Sequence, residues 1–180
     1  MFNRLELKDK KVAIIGKTDQ KWKAPFDNEE WQIWGCNYHN DMGKIKWDLW
    51  FDIHEKIHPF LLDYFNKHPE RKDNLITKNN YPIKAVLEMG IGGLDNSSFL
   101  NQSMSYMLAF AILYKVKEVR FYGCSLNHDS EDRTSQKQAL RELIMFARGR
   151  GIIVESYDKN LIRGYNHYGA EILKSSLYSN

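Results

Sequence analysis

Cysteine, proline and long apolar runs are all scarce in this chain, and each scarcity removes a class of protein. The 180 residues hold 2 cysteines, Cys36 and Cys124, far apart and in no C-x-x-C spacing. Neither a disulfide framework nor a cysteine zinc site is therefore expected, and both residues are read as reduced thiols. The histidines, His39, His54, His58, His68, His128 and His167, form neither H-E-x-x-H nor another compact ligand spacing. Pro59 also disfavours a helix running through His54 and His58, so no metal is expected. The longest mainly apolar stretch, residues 104–114, falls short of the roughly 20 residues a membrane helix needs. The start, Met1-Phe2-Asn3-Arg4, carries no apolar signal region, so no membrane partner is expected and the chain is placed in the cytoplasm. Charge of one sign is missing too: 26 Lys+Arg against 23 Asp+Glu give +3, too thin an excess to grip nucleic acid by bulk electrostatics.

What is present suits one globular domain spanning 1–180, with 43% hydrophobic and 13% aromatic residues to build a core. Lys11-Val12-Ala13-Ile14-Ile15-Gly16 is a short β-branched run ending in glycine, the pattern of a strand buried on both faces. Trp31-Gln32-Ile33-Trp34-Gly35-Cys36-Asn37 and Trp47-Asp48-Leu49-Trp50-Phe51-Asp52-Ile53 read as further strands, each delivering polar residues at its carboxyl end. Residues 58–67 have helical spacing, 69–82 read as a polar surface excursion, and 83–89 as another strand. From about 99 to 115 the apolar residues recur with a helical period and spread nearly all round, which predicts a central, buried helix. Glu118-Val119-Arg120-Phe121-Tyr122-Gly123 reads as a strand, followed by a polar loop over 125–135. An amphipathic helix carrying Leu140, Leu143, Ile144 and Ala147 then stops at Gly149-Arg150-Gly151, before a last strand at Ile152-Ile153-Val154-Glu155. Alternating strands and helices joined by right-handed crossovers predict an α/β domain with a mostly parallel sheet flanked by helices.

In such sheets ligands bind beyond the carboxyl ends of the strands, where the strand order reverses. The residues just after each strand are therefore the candidates. Gly16-Lys17-Thr18 follows the first strand but is no triphosphate loop, because G-x-x-x-x-G-K-[ST] would put its first glycine where Lys11 stands. Its turn can still bring backbone N–H groups to a phosphate. Gly90-Ile91-Gly92-Gly93 matches a dinucleotide fingerprint only loosely and reads as a turn. Ser97, Ser98, Asn101, Gln102 and Ser103 gather at the start of the buried helix, where the dipole favours an anion; the two serines serve equally as caps, and Ser103 equally as a bond to a preceding carbonyl. His54, after the third strand, and His128, in the loop after Gly123, are placed for proton transfer. Arg133, Lys137, Arg141, Arg148 and Arg150 line a polar helix face suited to solvent or to an acidic ligand. Of the five tryptophans most belong in the core, with one or two left to hold a nucleobase. Residues 164–180 read as a terminal helix that packs on the body or makes a dimer contact, so a homo-oligomer stays open.

Several segments together resemble Rossmann-like proteins of bacteriophage genomes and, more distantly, bacterial sialyltransferases of the Rossmann-like type that use a CMP-sugar. They are Val12-Ala13-Ile14-Ile15-Gly16, Trp34-Gly35-Cys36-Asn37, Phe51-Asp52-Ile53-His54, Ser103-Met104-Ser105-Tyr106-Met107-Leu108-Ala109, Glu118-Val119-Arg120-Phe121-Tyr122-Gly123 and Ala147-Arg148-Gly149-Arg150-Gly151-Ile152. The resemblance implies a Rossmann-like fold, a cytidine nucleotide lying against Gly16, Asn37 and Ser103 with Gly123 nearby, and, for a phage protein, a place in the host cytoplasm. Where those enzymes have a Gly-Asn-Gly turn this chain has Gly16-Lys17-Thr18, and their acidic residue after the strand-end glycine is here Ser125. No counterpart of their catalytic histidine or its lid is found.

The leading expectation is a protein that binds a nucleotide or nucleotide sugar and transfers or hydrolyses its glycosyl part. Gly16, Lys17, Thr18, Asn37, Asp52, Ser98, Ser103, Gly123 and Ser125 are read as nucleotide-binding, and His54 or His128 as general base. The nucleotide ligand is expected without a further cofactor. Two alternatives stand beside it: a non-catalytic module that sequesters a nucleotide signal or binds a host protein, and a nucleic-acid-acting protein whose binding would be salt-sensitive.

Overall fold

In the computed structural model, which describes residues 4–91, 99–126, 131–157 and 161, the β-branched runs at Lys11–Ile15 (β1) and Glu118–Tyr122 (β5) lie side by side and parallel. Trp31–Cys36 (β2), Leu49–Asp52 (β3) and Leu75–Thr77 (β4) follow in turn on the far side of β1, and Ile153–Ser156 (β6) follows on the far side of β5. The six-stranded order is β4-β3-β2-β1-β5-β6, with every pairing parallel. The chain thus grows outward from β1 in one direction, then crosses back to grow in the other. The order reverses between β1 and β5, and the domain is α/β with helices flanking the sheet.

Alternation along the strands sends successive side chains to opposite faces, and each face has its own core. Val12, Ile14, Trp34, Leu49, Phe51, Ile76, Val119 and Phe121 pack with Ser103–Leu113 (α3) and Glu131–Gly149 (α4). Ala13, Ile15, Ile33, Trp50 and Tyr122 turn the other way, toward Leu61 and Phe65 of Pro59–Lys67 (α1) and toward Met42, Ile45 and Trp47 of the connecting segments. Because both faces are covered, β1 needs no polar alternation, which is why it reads as a continuous apolar run. In α3, Ser105 and every residue from Met107 to Ile112 is buried, as its all-round apolar character predicts. Phe110 meets Trp34 and Phe51 edge-on at 5.6 and 5.3 Å. Trp31, Trp34, Trp47 and Trp50 are core residues, whereas Trp22 is exposed.

Four readings need correction. Ile83–Leu87 is a short helix (α2) and not a strand, since an apolar run of that length carries no decisive period and Pro82 opens it as a helix. The edge strand is instead β4, inside the segment read as a surface excursion. Only three residues long and flanked by polar turns, it leaves almost no pattern, and Asn80 closes it by accepting from Thr77 N–H and donating to Leu75 O. The loop after β5 is shorter than expected because α4 starts at Glu131. The first two crossovers carry only 3-10 turns, so helices do not alternate with every strand. The stop of α4 is as expected: Gly151 has φ +82° and its N–H returns to Arg148 O at 2.9 Å. The terminal segment 164–180 lies outside the described residues, and among the described residues no helix is long and apolar enough to cross a membrane.

Candidate functional site

The crevice at the strand-order reversal is built by two glycines. Gly16 follows β1 and Gly123 follows β5. A Cβ on Gly16 would stand 2.2 Å from Gly123 O, so no side chain fits between the strand ends. Gly123 has φ +66° and would meet Thr18 O at 2.6 Å, so it is held to glycine by conformation and by space. Gly16 N–H donates to Tyr122 O at 2.8 Å and Thr18 N–H to Gly123 O at 3.2 Å. The turn therefore spends two of its amides on Tyr122 at the end of β5 and on Gly123 after it, while the side chains of Lys17 and Thr18 stay exposed.

Above this crevice opens a cavity of about 500 Å³, within the usual range of small-molecule sites. Gly16, Lys17, Thr18, Asn37, His54, Ser103, Gly123 and Ser125 all line it, bringing together eight of the residues picked from the sequence. No tryptophan and no carboxylate appear among the described lining residues. Lys17 supplies a fixed positive charge, and the amino end of α3 points here. Ser105 and Tyr106 N–H both return to Gln102 O, so the amides of Ser103 and Met104 precede the first helical bonds in residues that line the cavity. A lysine and a helix start on the described wall suit an anion.

Asn37 is held in a left-handed conformation, φ +58°, at the end of β2. Its N–H donates to Phe51 O, its carbonyl accepts from Trp50 Nε1 at 2.8 Å, and its Oδ1 accepts from Ser103 Oγ at 2.9 Å. Ser103 thus joins β2 to α3 across the sheet's carboxyl edge, a role distinct from bonding its own helix. With Oδ1 accepting from Ser103, the side-chain amide of Asn37 keeps its two N–H donors for a ligand.

Asp52 is not a lining residue. It is completely buried at the end of β3, its Oδ1 2.5 Å from His54 Nδ1 and its Oδ2 accepting His58 N–H at 3.2 Å. A carboxylate only accepts, so Nδ1 donates in this contact, and in the neutral tautomer that this selects Nε2 is the acceptor. His54 itself is 61% exposed and lines the cavity. A buried carboxylate orienting an exposed imidazole is the arrangement a general base requires.

Both thiols border the cavity and both are buried. Burial pushes Cys36 up to about 12, and Cys124 Sγ lies against Ile14 O and Tyr122 O. Beneath the turn, Lys21 is buried and paired with Asp41 at 2.8 Å. His39, packed edge-on to Trp50, is lowered to about 4 by burial first and then by the charges of Lys21 and Lys17. Tyr106 and Gln136 also line the cavity and were not singled out. Tyr106 could have been found, since it lies three residues after Ser103 and so on the same helix face. His128 and Ser98 lie outside the described residues, and no cluster that could hold a metal occurs among the described residues. Arg148 and Arg150 turn to carbonyls of the fold, Val154 O and Met89 O, at 2.7 and 2.9 Å.

Fold and site together define an α/β domain with a ligand cavity at its switch point. No protein-family model matches the chain, and no curated protein matches it. Among solved structures it is similar to the sialyltransferase CstII from Campylobacter jejuni in complex with a substrate analogue, cytidine-5'-monophosphate. The identity is 17% over 83% of this chain and 80% of that one, with a TM-score of 0.46. A second structure of CstII, with CMP-3FNeuAc, is 12% identical over 82% and 79%, with a TM-score of 0.44.

Proposed function

We propose that this protein binds a nucleotide sugar in the switch-point cavity and transfers its glycosyl part to a hydroxyl, with His54 as general base. The observation that carries this reading is the oriented Asp52–His54 pair on the wall of a cavity lined by a lysine and a helix start. A phosphate bridges the Lys17 side chain and the first amides of α3, and the Asn37 amide donates to the ribose or base. His54 Nε2 faces the remaining volume. In the reaction the bond between the anomeric carbon and the phosphate oxygen breaks, its electron pair staying on the phosphate. The acceptor oxygen bonds to the anomeric carbon while its proton passes to His54 Nε2 and from there to solvent. Water in the acceptor position gives hydrolysis by the same steps.

The test is release of nucleoside monophosphate from a set of nucleotide sugars, CMP-sugars first. His54→Ala, a change at an exposed side chain, is expected to lower kcat by roughly 10²-fold or more while leaving nucleotide affinity within about twofold. Wild-type turnover that persists undiminished in His54→Ala would remove His54 from the reaction.

A further inference from the structure

Among the described residues Lys21 is the one buried lysine, with 3% of its surface exposed, and the proposed reaction does not use it. It lies in the 3-10 turn Asp19–Lys23, directly after the Gly16-Lys17-Thr18 turn. Its N–H returns to Thr18 O at 3.0 Å, and Gly123 packs so closely on it that a Cβ there would meet Lys21 N at 2.8 Å. The side chain ends at the Asp41 carboxylate, 2.8 Å away in the segment after β2, and its Nζ also donates to Lys17 O at 3.4 Å. One ammonium therefore ties the turn after β1 to the crossover after β2, against the end of β5.

Packing alone does not call for a lysine here. Taking an ammonium out of water costs free energy that its partner barely returns, and an apolar side chain of similar volume would fill the space at least as well. What an apolar side chain cannot do is hold a carbonyl. The carbonyl held belongs to Lys17, and the N–H groups on either side of it, of Gly16 and Thr18, are already given to Tyr122 O and Gly123 O. The contact is long but charge-assisted, and it ties the last free part of this backbone. The Lys17 side chain then leaves the cavity wall from a fixed point, with less freedom to lose on meeting an anion. Both lysines also act on His39 with their charge, so the two cations stand near one another. Asp41 neutralises the inner one and leaves the outer one to a ligand.

We propose that Lys21 is a positioning residue of the anion site: its buried ammonium, anchored on Asp41, holds the Lys17 carbonyl and so aims the Lys17 ammonium at the phosphate. This inference rests on the nucleotide reading, and its test separates the two.

The experiment is calorimetric titration of CMP, UMP, AMP and GMP into the full chain, the tightest binder then being carried through the variants at low and high salt with Tm measured beside it. Lys21→Met with Asp41→Asn removes the pair as a unit and keeps the net charge. This double variant is expected to bind about fivefold more weakly and to lose most of the salt dependence that Lys17 confers. In a Lys17→Ala background the same double change is expected to alter affinity by less than about twofold, since no ammonium is left to aim. If the double variant does not fold, Lys21→Met alone is read in the same way, because Asp41 is a third exposed and can turn to water. A lower Tm with affinity and salt dependence as in the wild type, or an equal loss of affinity with and without Lys17, overturns the positioning role while the nucleotide site stands. Absence of binding by all four nucleotides in the wild type instead overturns the reading on which the role depends.

Discussion

Asp52 shows how one side chain can organise two neighbours. Its burial is sustained by contacts on both oxygens, and its loss is expected to act through His54, since Asp52 does not reach the cavity. Asp52→Asn offers His54 an amide N–H in place of a pure acceptor, which favours the tautomer protonated on Nε2. The expected result is a fall of roughly 10²-fold or more in kcat with little change in KM, read from steady-state kinetics across pH. From the sequence, His54 and Asp52 were each legible as polar residues at a strand end, but their pairing was not. The chain leaves β3 immediately after Asp52, so strand alternation no longer says which way His54 turns.

His39 gives a second prediction at this scale. Its folded value of about 4 lies below its ordinary 6.5, so the unfolded chain binds more protons between these limits. Stability therefore rises with pH through that window and is lost as pH falls from about 6.5 toward 4. The contribution is at most about 3 kcal/mol. Thermal melts of wild type and His39→Gln at pH 4.5 and 7 are expected to show a steeper acid loss in the wild type; parallel losses would assign the acid sensitivity elsewhere.

Among the elements, β1 and α3 were legible because they are almost wholly apolar and buried, and β5 because Val119, Phe121 and Tyr122 outweigh its Glu118 and Arg120. The reverse holds for β4 and α2, both too short for a period and both set by the packing of their neighbours. The close approach of β1 and β5 also fixes what their ends tolerate. Gly16→Ala must part the strand ends at the Gly123 carbonyl, and a loss of about 3 kcal/mol or more is expected in denaturant unfolding. In α3, Phe110→Ala removes the ring between Trp34 and Phe51, with an expected cost of about 3–5 kcal/mol. Ser103→Ala, at the half-buried start of the same helix, should cost little stability but weaken nucleotide binding by about fivefold, because Asn37 loses the bond that aims its amide.

For the whole molecule, the reversal of strand order between β1 and β5 is what gathers residues from six separate segments around one cavity. The site was readable from the sequence to the extent that it sits at strand ends, a rule of parallel sheets; Gln136 was not, because its place on the wall depends on how α4 packs beside α3. The central claim is that the cavity takes a nucleotide by its phosphate. Calorimetric titration of CMP, UMP, AMP and GMP into the wild type and Lys17→Ala tests it most directly. Saturable 1:1 binding of at least one nucleotide, weakened about tenfold by Lys17→Ala, is the expected result. Absence of binding by all four, or equal binding by both proteins, would contradict it.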